Sequence, residues 1–70
     1  MDNVKATMAG NVWKLLVKAG DEVTENQDVA ILESMKMEIP ISSETAGLIQ
    51  EIKVAEGDFV NEGDVIAIII

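Results

Sequence analysis

The chain has 70 residues, enough for one small domain over residues 1–70 with an economical core. Thirteen acidic residues against five lysines leave a net charge of −8, which repels nucleic acid and anionic membrane surfaces and argues against both as partners. With no cysteine, histidine or tyrosine there are no disulfides, no Cys- or His-based metal sites and no thiol or imidazole chemistry.

In chain order, Val4 to Met8 and Val12 to Val17 read as the first two strands. Gly20-Asp21 marks a turn, and a very short strand follows at Glu22-Val23. Val29 to Ser34 reads as a buried strand, and Met37 to Ile41 as its alternating partner until Ser42-Ser43 breaks the pattern. Leu48 to Val54 is the next strand. Gly57-Asp58 turns the chain, Phe59-Val60 forms a second very short strand, and Gly63-Asp64 turns it again. Val65 to Ile69 completes an all-β reading. The apolar run to Ile70 is far too short to cross a membrane. The first residues lack the basic segment and apolar stretch of a secretory signal. A cytoplasmic location, with which the cysteine-free composition is compatible, and a monomer are the expectations. No segment has helical periodicity, and no glycine-rich loop leads into a helix that could cradle phosphate.

Sliding the chain along itself by 37 residues reveals an internal repeat. Gly10 meets Gly47, Val12 meets Ile49, Leu15 meets Ile52 and Val17 meets Val54. Gly20-Asp21 meets Gly57-Asp58, Val23 meets Val60, and Val29-Ala30-Ile31 meets Ile66-Ala67-Ile68. Two copies are too few for a solenoid. They can close as a two-fold sandwich, each half burying its apolar face against the other. Such closure predicts that the first and last strands share one sheet, with the segment joining the halves at the opposite end.

That joining segment is Glu33-Ser34-Met35-Lys36-Met37-Glu38. The gap between the flanking strands suits a two-residue turn with Met35 and Lys36 at its tip. Such turns favour Gly, Asn or Asp because their central residues take positive φ. A Met-Lys turn is therefore strained if it forms, the alternative being a longer and looser turn. The same register sets Glu33 opposite Glu38, an arrangement costing on the order of a few tenths of a kcal/mol. An outside partner gives that repulsion a use; otherwise both carboxylates are simply solvated. Met35 and Met37 are either core fillers or flexible apolar contacts for a partner. The remaining lysines, Lys5, Lys14, Lys18 and Lys53, read as solvated surface charges.

These residues resemble the biotinyl/lipoyl attachment family over nearly the whole chain. The resemblance rests on Met35-Lys36-Met37 within Ile-Leu-Glu-Ser-Met-Lys-Met-Glu, on the turns Gly20-Asp21 and Gly57-Asp58, and on Met8-Ala9-Gly10 leading into the second strand. It implies a flattened eight-stranded barrel, or sandwich, of two four-stranded antiparallel sheets. It also implies that Lys36 carries a covalent prosthetic group and that Glu33, Ser34, Met35, Met37 and Glu38 are read by the modifying ligase. Methionine on both sides of the lysine favours biotin, whereas Glu33, three residues before it, is a position that lipoyl ligases favour. No inserted loop separates Val17 from Glu22, so the chain is similar to family members without a protruding thumb. No Ala-Pro-rich tether flanks the domain, and if complete it reaches its partners by diffusion.

The function implied is a biotin carrier serving a biotin carboxylase and a carboxyltransferase, with biotin protein ligase loading Lys36. The alternative is a lipoyl carrier, or a dual acceptor, loaded on the same lysine by a lipoyl ligase. A second alternative is an unmodified structural or adaptor module. The chain itself is expected to be no enzyme, since its carboxylates are scattered and no triad or metal constellation is present. A lysine amine, with a reference pKa of about 10.4, is almost wholly protonated at neutral pH. An external ligase must remove that proton and supply the activated acyl group.

Overall fold

Strands follow from the period-two alternation of buried and exposed residues, and the structure, a computed structural model describing residues 2–70, contains eight of them. They are β1 (Asp2–Lys5), β2 (Gly10–Leu15), β3 (Glu22–Val23), β4 (Asp28–Ser34), β5 (Met37–Ser42), β6 (Gly47–Ile52), β7 (Phe59–Val60) and β8 (Val65–Ile69). Met1, which the single-domain reading includes, lies outside the described residues.

Two four-stranded antiparallel sheets form, one ordered β1-β8-β6-β3 and the other β5-β4-β2-β7. Advancing every strand number by four, cyclically, turns one order into the other. The register repeats as well. Val12 pairs with Leu32 and Leu15 with Ala30; 37 residues on, Ile49 pairs with Ile69 and Ile52 with Ala67. A bulge falls at Trp13 in β2 and at its equivalent Gln50 in β6. Even the turn caps correspond. The Lys18 N–H donates to Asp21 Oδ2 at 3.0 Å, and the Ala55 N–H to Asp58 Oδ2 at 2.9 Å. The halves thus close with the two-fold symmetry that the repeat implies.

Between the sheets lies a core of equivalent pairs: Val4 with Ile41, Val12 with Ile49, Val23 with Val60, Val29 with Ile66, and Leu32 with Ile69, all buried. Each such side chain contributes about 1.5–3 kcal/mol of transfer free energy, which a chain without disulfides needs. Ser43 takes the place equivalent to Ala6 and is the one buried polar residue among those described. Its hydroxyl donates to the Thr45 carbonyl and accepts from the Thr45 N–H, so burial leaves it partnered.

Several strand ends differ from the sequence expectation. The first strand spans Asp2–Lys5, not Val4 to Met8, because pairing with β8 shifts register between Val4 and Lys5. The Ala6 N–H then bonds the Asp64 carbonyl in the next turn. The second and sixth strands stop at Leu15 and Ile52, before Val17 and Val54. Beyond the bulges, single bonds from Leu16 N–H to Val29 O and from Lys53 N–H to Ile66 O replace the ladder. The fourth and sixth strands start one residue early, at Asp28 and Gly47. The fifth runs on to Ser42, whose hydroxyl donates to Asp28 Oδ1 at 2.8 Å.

β1 and β8 are neighbours, with Asp2 opposite Ile69, so both ends of the chain lie in one sheet. The β4–β5 hairpin belongs to the other. From its tip β5 runs six residues, roughly 20 Å, and just past it the Thr45 hydroxyl donates to Asp2 Oδ2 at 3.3 Å. Tip and termini therefore occupy opposite ends.

Candidate functional site

The β4–β5 ladder continues without interruption up to Ser34 opposite Met37, leaving Met35 and Lys36 as the two central residues of the turn. Both take left-handed backbone, with φ of 52° and 64°. Positive φ at both centres is the type I′ geometry that matches the twist of the flanking strands. For a residue with a Cβ this region costs about 1–2 kcal/mol, so the tip is the strained turn and not the looser alternative. Strand pairing on both sides over-determines it.

Its base is held by a close approach. A Cβ on Gly10 would stand 2.8 Å from the Glu33 carbonyl oxygen and 3.4 Å from Ser34 Cβ. Only glycine lets β2 press this tightly on the last residues of β4. The result is a rigid pedestal under an exposed tip. Ser34 is half-buried at the base, while Glu33, Met35, Lys36, Met37 and Glu38 are exposed. Met35 retains 88% of its free surface and Met37 57%, so neither fills the core.

Glu33 faces Glu38 across the ladder, as the register predicts. Neither pairs with Lys36: among the described residues the one ion pair joins Lys53 to Glu51 at 3.3 Å, on the surface. Lys14 lies over the Trp13 ring, 5.6 Å from its centroid. Lys36 differs from the other lysines in projecting from the tip of a hairpin; like those of Lys5 and Lys18, its amine has no ion-pair partner among the described residues. Among the described residues no three acidic side chains converge as a metal site would need. The chemistry available is that of an accessible amine, with no base beside it to activate it.

All six residues singled out from the sequence thus come together on one hairpin. Two further features were not anticipated. Gly10 is the support of the hairpin, a role that its place in Met8-Ala9-Gly10 and its correspondence with Gly47 in the repeat marked without explaining. Trp13 and Phe59, the chain's only aromatic residues, are both exposed, at 43% and 62%.

A symmetric two-sheet β domain that displays one lysine on a strained hairpin is the architecture of a covalent carrier. The family model described as "Biotin-requiring enzyme" matches residues 2–69. Over 63 residues the chain is 62% identical to the "Biotin/lipoyl attachment protein" of Bacillus subtilis, covering 90% of this chain and 86% of that one. It is 46% identical over 63 residues to the "Biotin carboxyl carrier protein" of Streptococcus mutans, covering 90% of this chain but only 48% of the relative. Among solved structures, the urea carboxylase of Kluyveromyces lactis contains a segment that superposes with a TM-score of 0.92 at 30% identity, covering 99% of this chain and 6% of that one. The chain belongs to the biotin/lipoyl attachment family. It is a carrier domain, not a catalyst in its own right.

Proposed function

We propose that the chain is a biotin carrier, with Lys36 as the attachment residue, working in the cytoplasm as a monomer beside a biotin carboxylase and a carboxyltransferase. The observation that carries this reading is the Met-Lys-Met turn, in which two positive-φ residues on a rigid hairpin hold an unpartnered amine in solvent. Nothing on the hairpin obstructs an acyl group at Lys36, and the amine is the donor that an amide linkage requires. The similarity to a biotin carboxyl carrier protein supports the choice of cofactor.

In the loading step Lys36 gives up its ammonium proton to the ligase, and its Nζ attacks the acyl carbon of biotinyl adenylate. An amide bond forms, the acyl–phosphate bond breaks and AMP leaves. Bound biotin supplies a ureido nitrogen that accepts and releases a carboxyl group. This chain contributes position. The pedestal of Gly10, Glu33 and Ser34 fixes where the arm begins, and Met35 and Met37 offer adaptable apolar contact around it. Glu33, Ser34, Met35, Met37 and Glu38 are the residues that the ligase reads.

A lipoyl reading has its own support, in Glu33 three residues before the lysine and in a relative whose name joins both groups. Intact mass of the protein from its native cell, with peptide mapping of Lys36, separates the readings. A biotin increment on Lys36 is the expected result, and a lipoyl increment transfers the proposal to acyl-carrying complexes. Lys36→Arg should abolish either increment, since a guanidinium does not accept the acyl group. An unmodified Lys36 in cells with both ligases active would leave a structural module.

A further inference from the structure

The two-fold repeat provides an internal control. Where a position serves only the fold, both halves should carry similar residues; where one half departs at an exposed position, the fold is not the reason. The apolar residues at the waist illustrate the first case: Leu15 and Val17 in one half correspond to Ile52 and Val54 in the other. Phe59 and Trp13 illustrate the second. Their equivalents are Glu22 and Gln50, both exposed and polar.

Both aromatic residues lie on the outward face of the β5-β4-β2-β7 sheet, whose hairpin ends in Lys36. Val60 is buried and Phe59 exposed, and Phe59 pairs with Asn11 on β2. Asn11 pairs on its other side with Glu33, beneath the tip. Phe59 therefore sits two strands from Glu33, about 10 Å away across the sheet. Trp13 follows Asn11 on the same face at the bulge, where Trp13 and Lys14 are both exposed. It is a diagonal neighbour of Phe59, at roughly 7–8 Å between backbone positions. The exposed apolar pair on the other sheet, Leu48 and Ile70, lies at the far end of the molecule from the tip.

We propose that the outward face of this sheet, centred on Phe59 and Trp13, is the docking surface for the ligase that acylates Lys36. The inference rests on the carrier reading above. A specific interface takes roughly 800 Å² from each partner, and the whole described surface is 4305 Å². A two-residue tip supplies a small part of that, so a footprint centred on Lys36 must spread down a flank. The ligase has to bring its acyl donor to Nζ itself, whereas a carboxylase meets the far end of the arm and can stand further off. Exposed aromatic anchors favour the flank that carries them. Glu33 and Glu38 beside them call for a partner with an apolar cleft rimmed by Lys or Arg.

The test measures initial acylation rates against carrier concentration, using purified biotin protein ligase with ATP and biotin, or lipoyl ligase with lipoate if only that enzyme acts. Substitutions borrow from the repeat: Trp13→Gln and Leu48→Asn each install the residue that the other half uses, and Phe59→Gln installs the neutral analogue of Glu22. Trp13→Gln with Phe59→Gln should raise KM at least tenfold, with kcat and Tm close to wild type, while Leu48→Asn leaves KM unchanged. A wild-type KM in the double variant, or an equal rise in Leu48→Asn, overturns the docking surface and leaves the carrier reading intact. Wild-type protein that neither ligase acylates overturns both.

Discussion

Five turns of this molecule place residues in left-handed backbone, and the contrast lies between the three that use glycine and the hairpin tip. At Gly20, Gly57 and Gly63, φ lies between 89° and 96° and the residue is glycine, which enters that region without a steric penalty. At the hairpin tip, Met35 and Lys36 occupy it with full side chains. The glycine turns reverse the chain at low cost and carry nothing. The tip accepts strain of about 1–2 kcal/mol per residue in order to hold a long amine-bearing side chain at the apex of a twist-matched turn. Asn26 also takes this region, but Asn tolerates it. Two successive residues there without Gly or Asn occur, among the described residues, at the tip alone, and strain of that kind is often kept for function.

The contrast can be broken at several levels. Beneath the tip and at its equivalent, Gly10→Ala and Gly47→Ala would each force a Cβ onto a carbonyl oxygen, at 2.8 Å and 2.6 Å, and Gly47→Ala also meets Ile69 Cγ2 at 2.6 Å. Chemical denaturation should show losses of about 1–3 kcal/mol, larger at Gly47, with Gly10→Ala alone slowing acylation of Lys36. A smaller effect is expected from exchanging turn chemistry. Met35→Asn with Lys36→Gly installs the preferred pair and should stabilise by about 1–2 kcal/mol while abolishing modification. In Gly57→Ala an added Cβ meets nothing within 4 Å, so backbone strain alone should destabilise it by about 1–2 kcal/mol. Equal stability in the Asn-Gly variant would mean that the tip is not strained. Smallest of all, Glu33→Gln with Glu38→Gln should stabilise by a few tenths of a kcal/mol, roughly 0.2–0.5. If the ligase reads these carboxylates, the acylation rate falls at low salt; an unchanged rate would make them solvated bystanders.

Much of the fold was legible because the repeat is written in residues with strict conformational meaning. The correspondence of glycines and buried aliphatics at 37 residues was enough to place β1 beside β8 and the lysine at the far end. The tip register followed from the short gap between two apolar runs. Strand ends were less legible, since the bulges at Trp13 and Gln50 release Val17 and Val54 from the ladder while keeping both packed on the core. Asn26, with φ of 68°, occupies the place equivalent to Gly63, and no glycine announced it. The pressure of Gly10 on Glu33 and the shared face of Trp13 and Phe59 are contacts between distant residues, which local pattern does not encode.

The pairing of Asp2 with Ile69 has a mechanical consequence. Any polypeptide joined at either end takes hold of the domain at a single place, and the hairpin lies away from it along a body whose longest dimension is 31 Å. A rigid sandwich gripped this way behaves as a crank: a small rotation at the grip sweeps Lys36 through a wide arc. The prosthetic arm would add its own length at the moving end. Travel between two active sites could then be divided between a stiff lever of protein and a flexible chain of methylenes, with the strained turn as the joint between them.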